Sequence, residues 1–480
     1  MKVAFLASEV IPYAKTGGLA DVAGALPKFL SGLGADIRVF MPLYREVLKK
    51  GLPLTTVLEG GSVDLGGAPL PFRVLEHRAD GMPTWFIDRP EFFDRDGLYG
   101  TAAGDYPDNG ERFAFFCRAA LETMRAVDFR PAVIHGHDWQ AALTFAYLEH
   151  ALAGDAFFAR TRSLFTIHNL AYQGLFDRAV LGRVGLPDAL FNMNDLEFYG
   201  RVNALKAGIL YATAVTTVSP RYSREIQTPE FGCGLDGLLR HRAGALHGIL
   251  NGVDYRDWDP ATDRLIPANF GPADLAGKAR CREELVRMFG LDAPAGVPVM
   301  GMVTRLAGQK GLDIVCEALD RLLDLGLTFA ILGTGDPKIQ DFLAEARKKD
   351  PSRLGLKIAF DERIAHTIYA GSDAFLIPSR YEPCGLTQMY AMKYGTVPVV
   401  RATGGLDDTV AEFDARTGAG TGFKFVDATP EALLPAAARA AASFRRRGEW
   451  AALVRNGMAA DFSWERSAAA YLDLYRKVAA

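Results

Sequence analysis

The sequence predicts an α/β protein of two doubly wound units, each a buried parallel sheet with helices on both faces. Short apolar runs recur along the chain and end in polar or glycine-rich turns, with segments of helical spacing between them. The series halts in a Pro/Ala/Gly-rich stretch at 291–297 and then starts afresh. At 480 residues the chain is also too long for one ordinary core.

The first run, residues 2–10, leads into Thr16-Gly17-Gly18. Leu19, Val22, Ala23, Leu26, Phe29, Leu30 and Leu33 then fall on one helical stripe, which Pro27 should kink and Gly34 should end. Residues 37–41 read as the next strand, and a strand–helix–strand unit of this kind makes a parallel pair. Further strands are expected at 132–134, 163–167, 215–218 and 246–250, then at 299–303, 329–332, 356–360, 374–377 and 397–400. Turn-rich Tyr255-Arg256-Asp257-Trp258-Asp259-Pro260 marks the boundary, giving domains at 1–255 and 256–461 and a terminal helix within 462–480. Residues 92–109 are long, aromatic and aperiodic, and read either as a cleft wall or as a surface excursion. No internal repeat is present.

Lys plus Arg number 54 against 57 Asp plus Glu, a net charge of -3 that offers no general attraction to nucleic acid or anionic membrane. Cys117, Cys233, Cys281, Cys316 and Cys384 are scattered, odd in number and without metal-ligand spacing, as expected of reduced thiols in the cytoplasm. Glu9 breaks the N-terminal apolar run, so no signal peptide is expected, and no apolar run is long enough to span a bilayer.

Open α/β sheets bind ligands beyond the carboxyl ends of their strands. After the first run comes Lys15-Thr16-Gly17-Gly18-Leu19, opening a helix that carries Asp21, a place where backbone N–H groups and a lysine can meet an anion. An ordinary turn is the alternative. The G-x-G-x-x-G and G-K-[ST] spacings of dinucleotide and P-loop sites are missing. Later strand ends carry His135-Gly136-His137-Asp138-Trp139 and Thr166-Ile167-His168-Asn169. Without an H-x-x-x-H or H-E-x-x-H helix, sugar or hydroxyl contacts fit these histidines better than a metal, with a core residue the alternative reading for His135. In the second half Arg305 and Lys310 flank a glycine-containing loop before a helix, a fork of donors and a point charge suited to pyrophosphate. Glu382-Pro383-Cys384-Gly385-Leu386-Thr387 follows the 374–377 strand, pairing a hydroxyl-binding carboxylate with a helix start; Thr403-Gly404-Gly405-Leu406 ends the next strand similarly. No histidine adjoins Cys384, which favours a packed thiol over a nucleophile.

Taken in order, the Lys15–Asp21 motif, His137-Asp138-Trp139, Thr166-Ile167-His168-Asn169-Leu170, Asn251-Gly252-Val253-Asp254, Arg305 with Lys310, and the Glu382–Thr387 motif resemble bacterial glycogen (starch) synthase along the whole chain. The resemblance implies a GT-B fold, two Rossmann-like domains facing across a cleft and closing on the donor, with the last helix returning to the first domain. It implies glucose transfer from ADP-glucose to the non-reducing end of an α-1,4-glucan (glycogen or maltooligosaccharides) with retention, through a front-face mechanism without metal or cofactor. In that scheme His168, Arg305, Lys310 and Glu382 are catalytic. Lys15 and Gly18 lie near the donor phosphates, Asp138 and Asn251 on the sugar side and Tyr99 toward the acceptor, while Asp21 and Asn169 are further substrate-binding residues. Cys384, Gly385, Leu386 and Thr387 offer backbone to glucose and phosphate. The wider retaining group often carries a second carboxylate eight residues after the first, where this chain has Tyr390. A UDP-glucose-using transferase, a phosphorylase or a non-catalytic glucan binder are the alternatives, and no oligomeric state is implied.

Overall fold

Val3 to Leu6 are completely buried in β1 (Lys2–Leu6) of the computed structural model, which describes residues 1–480 apart from the side chain of Ala68. A strand buried on both faces belongs in the middle of a helix-covered sheet. Its sheet has nine strands: β1, β2 (Asp36–Pro42), β3 (Thr55–Leu65), β4 (Ala68–Ala79), β5 (Met82–Asp88), β6 (Val133–His137), β7 (Arg162–Ile167), β8 (Ala214–Thr217) and β9 (Leu246–Gly248), in the order β9-β8-β7-β6-β1-β2-β5-β4-β3. β1 pairs in parallel with β2 on one side and β6 on the other, so the strand order switches there.

A second sheet, all parallel, contains β10 (Val299–Val303), β11 (Thr328–Leu332), β12 (Leu354–Lys357), β13 (Ala374–Ile377), β14 (Val397–Arg401) and β15 (Phe423–Phe425), ordered β12-β11-β10-β13-β14-β15. Its switch point lies between β10 and β13. Unit 1 comprises Met1–Val218, Ser223–Gly252 and Trp464–Ala480; unit 2 comprises Ser219–Tyr222 and Val253–Ser463. The terminal helix Trp464–Ala479 is part of unit 1, where Tyr471 and Tyr475 are fully buried. A Cβ on Gly252 would lie 2.5 Å from the Trp464 Cα, so only glycine lets the chain pass there.

The first sheet departs from the expected all-parallel form. β3 to β5 were not predicted, and β4 runs antiparallel to both neighbours. Half of β3 faces outward, with Gly61, Val63 and Leu65 alternating inward at its end, and Gly60, Gly61, Pro69 and Pro71 mask the strand pattern. β15 is likewise unpredicted, and β12 ends at Lys357 rather than running to residue 360. The helix Gly18–Gly32 continues through Pro27 and stops before Gly34, whose φ is +89°. Residues 92–109 are braced from within: buried Arg112 donates to the Phe92 and Leu98 carbonyls, and Arg95 pairs with Asp108 at 2.7 Å.

Candidate active site

In unit 1 the loop after β1 is organised by a carboxylate that sequence reasoning treated only as an interruption. Glu9, 4% exposed, accepts from the Thr16 and Gly17 N–H groups, the Thr16 hydroxyl and the Tyr99 hydroxyl. A buried acid at a strand's carboxyl end was its signal. Tyr99 also lies 2.7 Å from the Ser8 hydroxyl, which ties the 92–109 segment to the same loop. Lys15 pairs with Asp21 at 2.7 Å, and burial raises the Asp21 pKa while Lys15 opposes it. A Cβ at Gly17 or Gly18 would meet nothing within 4 Å, so protein packing does not demand glycine there; Glu9 takes the Gly17 N–H, and the open space beside Gly18 at the helix start suits an approaching anion.

The next strand ends carry the histidines. His135 is a core residue, with Nδ1 2.7 Å from the Tyr475 hydroxyl and Nε2 2.6 Å from the Thr166 hydroxyl. His137 Nδ1 lies 2.9 Å from Nε2 of His168. Burial lowers the pKa of His168 to about 3 and that of His137 well below the usual range, so both rings are neutral near pH 7. Asp138 accepts the His168 backbone N–H at 2.7 Å, and burial raises its pKa to about 7. Asn169 Oδ1 accepts the Ala171 N–H at 3.0 Å, a local turn contact. Asn251 is buried, and its Oδ1 has no partner among the described residues.

Asp138 has φ +54°, a conformation aspartate and asparagine tolerate better than alanine. Asp138→Asn keeps both the conformation and an acceptor. Asp138→Ala loses both and is expected to cost about 2–5 kcal/mol of stability by urea unfolding. The sign of the pH effect follows from the raised pKa. The folded carboxyl holds its proton above the unfolded value of 3.8, so its contribution is full below that pH and falls as pH rises toward about 7. The stability difference between parent and Asp138→Asn should therefore shift against the parent from pH 4 to 7, then level off.

Unit 2 gathers opposite charge at its switch point. Lys310 Nζ lies 2.6 Å from Glu382 Oε2, and the Ser379 hydroxyl donates to the same oxygen at 2.9 Å. Glu382 is 8% exposed, so the pair is largely shielded from water. Arg305 is exposed and contacts the Gln309 side chain at 2.9 Å. Gly385, Leu386 and Thr387 open the helix Thr387–Lys393, whose first N–H groups lie outside its own ladder. Cys384 is a buried thiol. The Thr403–Leu406 turn serves structure: the Gly405 N–H donates to the Glu382 carbonyl at 3.1 Å, and a Cβ on Gly404 would sit 1.9 Å from that oxygen. Tyr390 lies in a ring stack, 3.8 Å from Trp258, whose other neighbour is His366 at 4.0 Å. Past β12, Phe360 is 94% exposed, an aromatic face that sequence reasoning had counted as strand. Among the described residues no group of three or more His, Cys, Asp or Glu could hold a metal ion.

The starch synthase catalytic domain family matches residues 2–241, and the glycosyl transferases group 1 family matches residues 287–444. A glycogen synthase of Anaeromyxobacter sp. (strain Fw109-5) is 50% identical over 481 residues, covering 100% of both chains. The chain belongs to the glycogen and starch synthase family of glycosyltransferases. Glycogen synthase 2 of Geobacter sulfurreducens is 48% identical over 100% of this chain and 99% of its own. Among solved structures, the catalytic domain of starch synthase IV from Arabidopsis thaliana, bound to ADP and acarbose, aligns with a TM-score of 0.89 at 35% identity, covering 99% of each chain. Sucrose-phosphate synthase from Thermosynechococcus elongatus aligns at TM-score 0.62 and 17% identity over 99% of this chain and 98% of its own, a likeness of fold. The glycogen synthase family member described here has the GT-B fold, and none of its helices, among the described residues, is long and apolar enough to cross a membrane.

Proposed function

We propose that this enzyme transfers glucose from ADP-glucose to the non-reducing end of an α-1,4-glucan, glycogen or a maltooligosaccharide, with retention of configuration. The observation that carries the proposal is the Lys310–Glu382 pair with exposed Arg305 nearby in sequence, set in loops beyond the carboxyl ends of neighbouring β10 and β13. A departing diphosphate accumulates negative charge, and fixed cations stabilise that charge more than they stabilise bound donor. Lys15 and the open Gly17-Gly18 turn are read as further phosphate contacts in unit 1, and His168 as a contact to the transferred glucose. Exposed Phe360 is read as a face for the nucleobase. No metal or cofactor is assigned a step. The cytoplasm is the proposed location, supported by five cysteines that form no disulfide among the described residues.

Donor competition tests the reading. With glycogen as acceptor, ADP-glucose should be used in preference to UDP-glucose, and Phe360→Ala should raise the ADP-glucose KM about tenfold, the loss of one base–aromatic stack. Preference for UDP-glucose would overturn the donor assignment.

A further inference from the structure

We infer that His137 is a positioning residue: it donates its Nδ1–H to Nε2 of His168 and so fixes His168 as the tautomer that presents an Nδ1–H donor to the transferred sugar. The inference deepens the reading of His168 as the sugar-facing group and rests on it. Its geometric basis is the 2.9 Å separation between His137 Nδ1 and His168 Nε2. Two neutral rings meeting this way allow two proton arrangements, and the far side of His137 chooses between them. His137 is 0% exposed, and its Nε2 is buried with no partner among the described residues.

Were the proton on Nε2, the protein would bury an orphan N–H donor, the rarer of the two defects in folded proteins. With the proton on Nδ1, only a lone pair is left unmatched and the His168 contact is satisfied. No neighbouring ring offers relief. Phe5, centroids 4.1 Å apart, and His135, centroids 4.0 Å apart, pack against His137, and both nitrogens of His135 are committed to Tyr475 and Thr166. His168 must then accept at Nε2 and carry its own proton on Nδ1, which bonds to no group among the described residues.

Asp138 completes the arrangement by holding the backbone N–H of the same histidine at 2.7 Å. Adjacent residues therefore hold His168 by its main chain and by its ring. Such a group recognises an oxygen acceptor on the sugar, such as a ring or hydroxyl oxygen, and is not set up to abstract a proton.

The experiment is histidine-selective ¹⁵N NMR of the full-length protein, with the His168 signal assigned by its loss in His168→Ala, combined with kinetics of two replacements. His168 should show the Nδ1–H tautomer; finding Nε2–H overturns the inference even if both His137 variants fail to fold. His137→Asn keeps a donor at the δ position and should retain kcat within about threefold. His137→Phe keeps the ring shape alone and should lower kcat at least tenfold with KM unchanged. His137→Phe/His168→Ala should be no slower than His168→Ala alone, because His137 acts through His168. A His137→Phe enzyme at parental rate, or losses that multiply in the double variant, would overturn it. If His168→Ala itself runs at the parental rate, the sugar-facing reading falls, while the tautomer still judges the contact with His137.

Discussion

Arg305→Ala is expected to lower kcat/KM for ADP-glucose about a hundredfold or more while leaving the melting temperature where it was. The two halves of that expectation have different origins. A fixed donor aimed at charge that grows in the transition state is commonly worth about 3 kcal/mol, which is two powers of ten in rate. Arg305 is exposed and meets the Gln309 side chain, so its removal strands no buried group. Lys310→Ala should show the same loss of rate with a different stability. Its ammonium is 2.6 Å from Glu382, whose side chain is 11% exposed, and deleting the lysine leaves that carboxylate without its cation in a poorly solvated place. Breaking such a pair costs about 3–5 kcal/mol when it is fully buried and somewhat less here. Lys310→Ala should therefore lower the melting temperature, and Lys310→Ala/Glu382→Gln should recover part of the stability and none of the rate. Steady-state kinetics and thermal unfolding of the three variants measure both halves. Parental kcat/KM in Arg305→Ala at unchanged melting temperature would remove the clamp.

What sequence exposes and what it hides follow from where each residue spends its hydrophobicity. β10, β13 and β14 are buried along nearly their whole length, so they stand out as continuous apolar runs. β3 is partly exposed and glycine-containing, and nothing local distinguishes it from a loop. Phe360 deceives in the opposite sense: an exposed aromatic, proposed above as a nucleobase face, looks in sequence like one that fills a core, and only its 94% exposure separates the two. The charged residues at the strand ends were legible because position and chemistry agree there. Their partners were not. Tyr475 reaches His135 across 340 residues of chain, and Glu9 acquires its meaning only when Thr16, Gly17 and Tyr99 fold around it. The resemblance puts Asp138 on the sugar side; that its carboxyl also accepts the His168 N–H is visible only once β6 and β7 pair.

The glucan made by this enzyme is expected to be α-linked throughout, and digestion by an α-1,4-specific glucosidase should consume the added glucose completely. A double displacement would reach the same product through a covalent glucosyl–enzyme, and it needs one carboxylate free to attack and a second about 5–5.5 Å away. The acidic side chains read as donor or sugar contacts in each unit are otherwise engaged. Asp21 pairs with Lys15, Asp138 accepts the His168 N–H, and Glu382 accepts from Lys310 and Ser379. With its pKa near 7, Asp138 is also protonated in a large fraction of molecules at neutral pH, which makes it a poor nucleophile. The proposed route instead breaks the bond from glucose C1 to the donor phosphate oxygen and forms a bond from C1 to the acceptor hydroxyl oxygen on the same face. The acceptor's proton passes to the departing phosphate oxygen. Arg305 and Lys310 hold that oxygen's developing charge, and no protein atom becomes bonded to glucose. Intact-mass measurement during turnover should therefore show no glucosyl adduct. NMR of the product should show the α-anomeric signal alone. A β-linked product would overturn retention outright, and an isolable glucosyl–enzyme would replace the front-face route with a displacement by one of these carboxylates.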